Sequence, residues 1–449
     1  MPELVDLILA DADYLVTCDE ANSVIKKGAL AILNGSIFDL GPSDEIKKCY
    51  LAREVFSLEG HILMPGLTNA HVHAPMSLFR GLADDLPLNV WLSEVIFPAE
   101  AKWITKETVY LGSLLSFCEM LLSGTTCFCD GYFFEEEVAR AARDIGIRGV
   151  VGQGILDFPT PDVPDSREMF KRAEGFLDTL AGFDLVKPSL FCHSPYTCSD
   201  DTILRTKELC RAGNVIFQIH LAETEWEREV ILDRTGKTPV RFLHDLGVLD
   251  KKSLCIHGVW LDEEDVKILR DCRTGLVHCA ESNLKLGSGI ADLPLWIANG
   301  LEVGLGTDGP ASNNNLDIFG EMRLVSKLHK GIKKDPEVCS PEEVLRLGTL
   351  GGAKVIGLAE EVGSLEKGKK ADCVAISLGD PHTLPHLFFR FEPAEGFLPA
   401  YIVYFAKASD VKHVWVNGML VVKDRKIVTI DETELLREVR RIARKIKET

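Results

Sequence analysis

Two histidines one residue apart, His71 and His73, are the first residues in this sequence whose spacing could support chemistry. They follow the apolar residues 62–64 and lie at positions i and i+2 of backbone that we expect to be extended, so both side chains project to the same side. Two imidazoles on one side of a segment can bind the same cation. Because a bare His-x-His pair is often coincidental, this interpretation requires further ligands elsewhere in the chain.

Two more candidate ligands close later apolar runs. His220 ends residues 217–220 (FQIH), and Asp308 ends residues 305–308 (LGTD). Three imidazoles and one carboxylate suit Zn²⁺, with Fe²⁺ as the alternative, and they leave a coordination position open for water. The sequence therefore predicts a site for one divalent metal on His71, His73, His220 and Asp308.

Glu223 and His257 stand where a hydrolase would need them. Glu223 lies three residues after His220, and His257 ends residues 253–257 (SLCIH). A divalent metal lowers the pKa of water towards about 7, and a carboxylate beside it can carry protons to a leaving amine. His257 could stabilise a developing oxyanion or hold the attacking water; a solvated glutamate and a packing histidine are the plainer alternatives. We predict Glu223 and His257 as catalytic residues.

The elements that must position these residues form an alternating pattern. Between residues 59 and 365, short apolar runs predicted as strands alternate with helical patterns such as residues 135–145. This alternation predicts a parallel α/β architecture, and eight strands counted from residues 62–64 fit a (β/α)₈ TIM barrel. Barrel enzymes carry their functional side chains at the carboxyl ends of the strands, where the candidate residues stand.

The two ends of the chain have a different character. Short β-rich runs fill residues 5–56, where the step from Asn34 to Gly35 predicts a hairpin turn, and residues 407–429 predict another hairpin. A charged helical pattern covers residues 432–447. We therefore predict a composite β-sandwich domain with a C-terminal helix, built from residues 1–58 and 366–449, and a metal-dependent hydrolase barrel at residues 59–365.

The composition argues against several other functions. A formal net charge of -18 disfavours nucleic-acid binding. No apolar run is long enough to cross a membrane, and the first residues lack the basic region of a secretory signal. The 13 cysteines are scattered through apparent strands and helices, which is typical of reduced thiols in a cytoplasmic protein. A phosphate-binding loop, a G-x-S-x-G elbow and the H-x-E…P-C-x-x-C signature are absent.

Four segments resemble the amidohydrolase superfamily: residues 64–73 (MPGLTNAHVH), 218–223 (QIHLAE), 282–286 (SNLKL) and 306–313 (GTDGPASN). Within it, the sequence is most similar to the 5-methylthioadenosine/S-adenosylhomocysteine deaminases, through residues 91–100 and 193–198. The flanking β domain fits as well, so the resemblance covers nearly the whole chain. Two-metal members carry a carboxylated lysine near the end of the fourth strand, and its absence here implies a single metal.

The resemblance implies substrate contacts that spacing alone would not single out. Glu100 would contact the ribose hydroxyls, and His193 would reach the sugar. Trp91 and Ser312 fall in the matching segments and are predicted as further substrate contacts. The resemblance also suggests a homo-oligomer, although no residue pattern requires one.

The resemblance also implies a mechanism for the predicted catalytic residues. Asp308 takes a proton from the attacking water, which adds to the amine-bearing ring carbon. Glu223, itself in contact with the substrate, moves protons to the ring nitrogen. Ammonia then leaves, with His257 as an electrostatic helper.

The chain departs from this family at one predicted anion-binding position. Gln153 stands where family members place an arginine, and Arg167 is a loosely aligned candidate for the second anion-binding arginine. A guanidinium group binds a carboxylate through two hydrogen bonds and a full charge, which glutamine cannot supply. Our hypothesis is that the homocysteine carboxylate is recognised less well here, so that shorter 5′-substituents are favoured.

The sequence favours an aminohydrolase that acts on adenine nucleosides without a 5′-phosphate: 5′-methylthioadenosine, S-adenosylhomocysteine, adenosine or 5′-deoxyadenosine. Two alternatives remain open. One is a deaminase or chlorohydrolase of another amino-heterocycle, such as guanine, a pterin or an s-triazine. The other is a binding protein that kept the fold and lost the chemistry, since fold alone does not fix function.

Overall fold

The computed structural model describes residues 2–180, 182–384 and 397–447. Its strands are β1 (Glu3–Val16), β2 (Val24–Leu33), β3 (Ser36–Pro42), β4 (Tyr50–Ser57), β5 (His61–Pro65), β6 (Leu67–Val72), β7 (Thr125–Tyr132), β8 (Arg148–Ile155), β9 (Val186–Cys192), β10 (Ile216–Leu221), β11 (Ser253–His257), β12 (Gly275–His278), β13 (Val303–Leu305), β14 (Cys373–Ser377), β15 (Val411–Val416), β16 (Met419–Lys423) and β17 (Lys426–Ile427).

The α-helices fall mostly between the strands of the middle region. They are α1 (Ser43–Cys49), α2 (Leu88–Val90), α3 (Phe97–Trp103), α4 (Lys106–Leu122), α5 (Glu135–Ile145), α6 (Met169–Thr179), α7 (Asp200–Gly213), α8 (Glu225–Thr235), α9 (Pro239–Asp245), α10 (Glu263–Asp271), α11 (Ala280–Lys285), α12 (Leu293–Ala298), α13 (Ile318–Lys333), α14 (Pro341–Arg346), α15 (Gly352–Val355), α16 (Leu398–Ala400) and α17 (Glu432–Lys447).

In the described part of the chain, the eight strands β6 to β13 pair in chain order and form a parallel barrel. The segment after the last strand, β13, lies beside the first strand, β6: the backbone N–H of Asp308 donates to the carbonyl of His71 at 3.1 Å. The strands are buried on both faces, as their near-continuous apolar runs require. The predicted (β/α)₈ TIM barrel is confirmed.

Helix α5 shows how the sequence sets one of the outer elements. Its acidic first turn (Glu135, Glu136 and Glu137) suits a helix N-terminus, and Val138, Ala142 and Ile145 are fully buried. Gly146 then ends the helix with a φ of 84°, in the left-handed region that favours glycine. The helix covers the residues that the pattern predicts.

Both ends of the chain contribute to one mixed sheet, to which the described residues supply nine strands. The central strand β1 pairs antiparallel with β2 and parallel with both β4 and β5. From the other end of the chain, β14 pairs with β5 and β15. The ring of Phe56 on β4 packs edge-on against the ring of Trp415 on β15, with the ring centroids 5.2 Å apart. Strands from the two ends of the chain therefore pack against each other. The predicted composite β domain is confirmed; its exact boundaries stay a prediction.

One sequence-based expectation needs correction. Residues 62–64 belong to β5 in the terminal sheet, and the barrel begins with β6 after Gly66. A Cβ at Gly66 would lie 1.9 Å from the Thr126 hydroxyl, so the close passage from one sheet to the other requires glycine.

The described helices include none with the length and apolar character needed to cross a bilayer. All 13 cysteines lie in the described ranges and are free thiols, and all except Cys49 and Cys272 are buried. They therefore contribute to packing as small apolar side chains.

A buried ion pair joins the barrel to the terminal sheet. Arg148 at the start of β8 donates to both carboxylate oxygens of Asp372, at 2.7 and 3.1 Å, and both side chains are almost fully buried. The backbone N–H of Asn417 donates to the same carboxylate at 2.7 Å. Asp372 therefore connects three parts of the fold.

Replacing Asp372 with Asn should destabilise the protein strongly, because it leaves the buried Arg148 guanidinium with only the longer contact to Glu361, at 3.6 Å, as a counter-charge. We expect the free energy of unfolding to fall by about 3–5 kcal/mol, measured by denaturant titration. The exposed Glu434→Gln variant is the control and should leave the unfolding midpoint unchanged. A loss for Asp372→Asn below about 1 kcal/mol would contradict this role.

Candidate active site

The structure brings the four predicted metal ligands together at one end of the barrel. One potential ligand atom from each of His71, His73, His220 and Asp308 lies within 4.8 Å of all the others. The Nε2 atoms of His71 and His73 are 3.5 and 3.3 Å from Oδ1 of Asp308. The Nε2 atoms of His71 and His220 are 3.2 Å apart. The ligand atoms thus face a common point.

Hydrogen bonds to the protein fix which atoms of His73 and Asp308 face that point. Nδ1 of His73 lies 2.6 Å from the carbonyl of Gly131, which can only accept, so Nδ1 carries the proton and Nε2 is free to bind a metal. The hydroxyls of Ser282 and Ser312 donate to Oδ2 of Asp308 at 2.6 and 2.8 Å. Oδ1 of Asp308 therefore remains free to bind a metal.

Burial and neighbouring groups set the protonation of this cluster. Burial lowers the pKa of His71 to about 4 and that of His220 well below its ordinary value. Burial alone would raise the pKa of Asp308, but a hydrogen bond from His71 and the nearby His73 and His257 hold it well below its usual range. At neutral pH the cluster therefore offers neutral imidazoles and an ionised carboxylate, the forms that bind a metal.

This donor set fits a divalent metal. Nε2 of His71 and Nε2 of His220 face each other at 3.2 Å in a buried place, and Nδ1 of His71 has no hydrogen-bond partner among the described residues, so both Nε2 atoms can bind one cation between them. Three imidazole nitrogens and one carboxylate oxygen are a ligand set of zinc-type hydrolase sites. The residues on these strand ends therefore form a site for a divalent metal.

Glu223 and His257 lie beside the metal cluster, with Oε2 of Glu223 3.7 Å from Nε2 of His257. Oδ1 of Asn283 lies 2.9 Å from Nδ1 of His257, so the proton is on Nδ1 and Nε2 faces Glu223 as an acceptor. The Ser288 hydroxyl donates to Oε1 of Glu223 at 3.5 Å. Burial raises the pKa of Glu223 to about 8, so a proton can reside on it near neutral pH.

Strained backbone marks these strand ends. Ala222, His257 and Asp308 have φ values of 51°, 79° and 60°, in the left-handed region that residues with a Cβ seldom adopt. Such conformations persist where the surrounding structure determines them, and they cluster at functional sites.

A cavity that is partly open to solvent extends outward from the cluster. Its walls are mostly apolar, with Trp91, Phe97, Phe191 and Tyr196 among the lining side chains. Its lining residues in the described part of the chain include no lysine or arginine. The cavity can therefore enclose a flat, uncharged ring system next to the metal cluster.

The predicted substrate contacts Glu100, His193, Trp91 and Ser312 all line this cavity. The Tyr132 hydroxyl donates to Glu100 at 2.5 Å, and burial raises the pKa of Glu100 to about 7. Nδ1 of His193 lies 2.9 Å from the Thr197 hydroxyl, which fixes the ring. The Trp91 indole N–H donates to the carbonyl of Ala83 at 3.2 Å, so its ring serves as an apolar wall.

Two predicted substrate contacts do not reach the cavity. Gln153 is fully buried in β8, and its amide donates to the Asp162 carboxylate at 2.9 Å. Arg167 is 88% exposed and pairs with Asp165 at 2.6 Å. Because neither side chain lines the cavity, the hypothesis that Gln153 weakens carboxylate recognition loses its structural basis.

Sequence reasoning assigned no role to Ser282, Asn283, Ser288 and Tyr132, which orient Asp308, His257, Glu223 and Glu100. Ser282 and Asn283 lie in a segment that carries the family resemblance, which was the available signal. Nothing in their spacing shows what they contact, because their partners are far away in the sequence.

Removing one candidate ligand should empty the metal site. We expect the His220→Ala protein, purified without added metal, to contain less than about one fifth of the wild-type metal, because zinc-type sites need their full ligand set. Elemental analysis by mass spectrometry measures this. The half-exposed His244 provides the control variant His244→Ala, which should keep its metal. Full metal content in His220→Ala would rule His220 out as a ligand.

Comparisons with known proteins agree with this geometry. The sequence model of the amidohydrolase family matches residues 62–421. A protein of Thermodesulfovibrio yellowstonii named 5-methylthioadenosine/S-adenosylhomocysteine deaminase is 43% identical over 95% of both chains. A 5′-deoxyadenosine deaminase of Methanosarcina mazei is 36% identical over 99% of both. The crystal structure of an adenosine deaminase from Xanthomonas campestris with bound zinc superposes with a TM-score of 0.95 at 33% identity over 100% of both chains. The chain therefore belongs to the amidohydrolase family.

Proposed function

We propose that this protein is a zinc-dependent aminohydrolase that removes the 6-amino group of adenine nucleosides without a 5′-phosphate. The products are the corresponding inosine analogue and ammonia. The observation that carries the proposal is the position of Glu223 and His257 between the metal cluster and an apolar cavity that also contains Glu100. The relatives named as deaminases of 5-methylthioadenosine, S-adenosylhomocysteine and 5′-deoxyadenosine support this substrate class.

Zinc in this ligand set would lower the pKa of an adjacent water towards about 7 and so make a nucleophile available at neutral pH. Asp308 is placed to accept a proton from that water, since its Oδ1 faces the cluster while both serines hold Oδ2. Glu223, protonated near neutral pH, donates to the ring nitrogen next to the reacting carbon.

The proton balance closes on the same residues. Water adds its oxygen to the ring carbon, one of its protons passes through Asp308 to the amino group, and ammonia leaves. The ring nitrogen keeps the proton that Glu223 gave, and the hydroxyl proton of the new C–OH group returns to Glu223, leaving a carbonyl. Nε2 of His257 is an acceptor, so we assign His257 to holding the water rather than to donating to an oxyanion.

The position and free acceptor capacity of Glu100 favour a nucleoside over a free base as the substrate. Its carboxylate is buried in the cavity wall and receives one hydrogen bond from Tyr132, which leaves capacity to accept from two neighbouring hydroxyls. The absence of a lysine or arginine from the described cavity lining favours neutral 5′-substituents. We therefore expect 5′-methylthioadenosine and 5′-deoxyadenosine to be better substrates than S-adenosylhomocysteine.

The proposal extends to the cellular compartment and the oligomeric state of the enzyme. The free, mostly buried cysteines support a reduced, cytoplasmic environment. A homo-oligomer is proposed from the family resemblance alone.

Ammonia release by the purified protein tests this function. The panel contains 5′-methylthioadenosine, 5′-deoxyadenosine, adenosine, S-adenosylhomocysteine, guanine and melamine. We expect release from the adenine nucleosides, and a kcat lower by about 100- to 10,000-fold in Glu223→Gln, because the proton transfers need a carboxyl group. Glu229→Gln, an exposed change on α8, is the control. Release from guanine or melamine alone would overturn the choice of substrate.

Glu100 should make nucleoside binding depend on pH. Its carboxyl group has a raised pKa of about 7, so it becomes protonated as the pH falls through 7 and accepts hydrogen bonds less well. We expect KM for 5′-methylthioadenosine to rise below pH 7 in the wild type. Glu100→Gln should raise KM about 10- to 100-fold and remove this pH dependence, through loss of bonds to a charged acceptor.

The exposed residue Glu94 lies on the same segment, so Glu94→Gln serves as the matched control and should retain the wild-type KM profile. A pH-dependent KM that persists unchanged in Glu100→Gln would exclude Glu100 as the ribose contact.

A further inference from the structure

The backbone that connects the metal ligand His220 to Glu223 makes an unusual turn. Strand β10 ends at Leu221, and Ala222 then takes a φ of 51° before the chain reaches Glu223. Alanine adopts this conformation only where neighbouring contacts enforce it. The turn therefore needs a group that holds it.

Glu227 is that group. It is 1% exposed, and its two carboxylate oxygens accept from the backbone N–H groups of Ala222 at 2.8 Å and of Glu223 at 2.9 Å. Two successive N–H groups that point at one anion form a closely fitted anion site. Burial raises the pKa of Glu227 to about 7, against the effect of these two hydrogen bonds.

This arrangement exceeds what helix α8 itself requires. The Thr224 hydroxyl already caps the helix by accepting from the N–H of Glu227 at 3.1 Å. A glutamate at the third helical position commonly accepts from the N–H of the capping residue. Glu227 instead reaches one and two residues further back, to the turn that carries Glu223.

The side chain of Glu223 is held only loosely. Its nearest polar contacts are the Ser288 hydroxyl at 3.5 Å and Nε2 of His257 at 3.7 Å. Long contacts leave the carboxyl group free to exchange protons with a substrate, but they do not fix its position. Its position must therefore come from the backbone.

We propose that Glu227 is a positioning residue: by binding the N–H groups of Ala222 and Glu223, its carboxylate holds the turn that aims Glu223 into the cavity. The proposal rests on the role proposed above for Glu223. Glu227 does not touch the metal ligands or line the cavity. It acts on the reaction through the backbone of the residue that transfers protons, and its charge also raises the pKa of the nearby His257.

The test uses the full-length metal-loaded protein with Glu227→Gln, Glu227→Ala and, as a matched control on α8, the exposed Glu229→Gln. Glutamine keeps the shape of the side chain but turns one acceptor oxygen into a donor, which cannot bind an N–H. We expect kcat for 5′-methylthioadenosine to fall by about 100-fold in Glu227→Gln with KM changed by less than about threefold, as for a misplaced catalytic group. Glu227→Ala should fall further.

Three measurements separate positioning from general damage. Metal content and melting temperature of Glu227→Gln should match those of the control. Backbone hydrogen exchange of residues 221–224, followed by peptide mass spectrometry, should become at least about tenfold faster than in the control, because the N–H groups lose their acceptor.

The proposal is overturned if Glu227→Gln retains kcat within twofold of wild type, if exchange in residues 221–224 is unchanged, or if kcat falls only in proportion to lost metal. A wild-type protein that releases no ammonia from any nucleoside would instead refute the proposed function. In that case the exchange measurement still decides whether Glu227 holds the turn.

Discussion

The structure depends on the convergence of three imidazoles and one carboxylate at the end of the barrel, with one potential ligand atom from each within 4.8 Å of the others. Without a cation this convergence is costly, because burial takes the ring nitrogens and the carboxylate out of water. A divalent metal removes that cost and turns buried polar groups into ligands. The barrel makes the convergence possible, since the chain after β13 hydrogen-bonds to β6 beside His71.

Around this centre, four of the functional side chains share one design. Each of the four uses one polar atom to bind the protein and keeps the other for the metal or the substrate. This holds for His73 with Gly131, His257 with Asn283, His193 with Thr197 and Asp308 with Ser282 and Ser312. Glu223 is the exception, because its own contacts are long and a backbone tether from Glu227 takes their place. The long contacts of Glu223 leave its carboxyl group free to exchange protons with the substrate.

Much of this site could be predicted from the sequence because its residues follow strands. His71, His220 and Asp308 end or follow apolar runs, and parallel strands place such positions at one end of a barrel. The spacing could not show that residues 62–64 pair with β1 and β14, since an apolar run looks the same in either sheet. The spacing also could not predict contacts that depend on packing between residues far apart in the sequence. Asn283 was missed for this reason, and Arg167 was expected at the substrate but pairs with Asp165 at the surface.

The central claim is that one divalent metal on these four residues makes the chain a nucleoside deaminase. A titration of metal-free protein with Zn²⁺, followed by ammonia release from 5′-methylthioadenosine, tests it most directly. The activity should be absent at the start, rise in proportion to added zinc and level off at about one equivalent per chain, as a single catalytic site requires. Full activity of the metal-free protein, or a plateau only at two equivalents, would contradict the account.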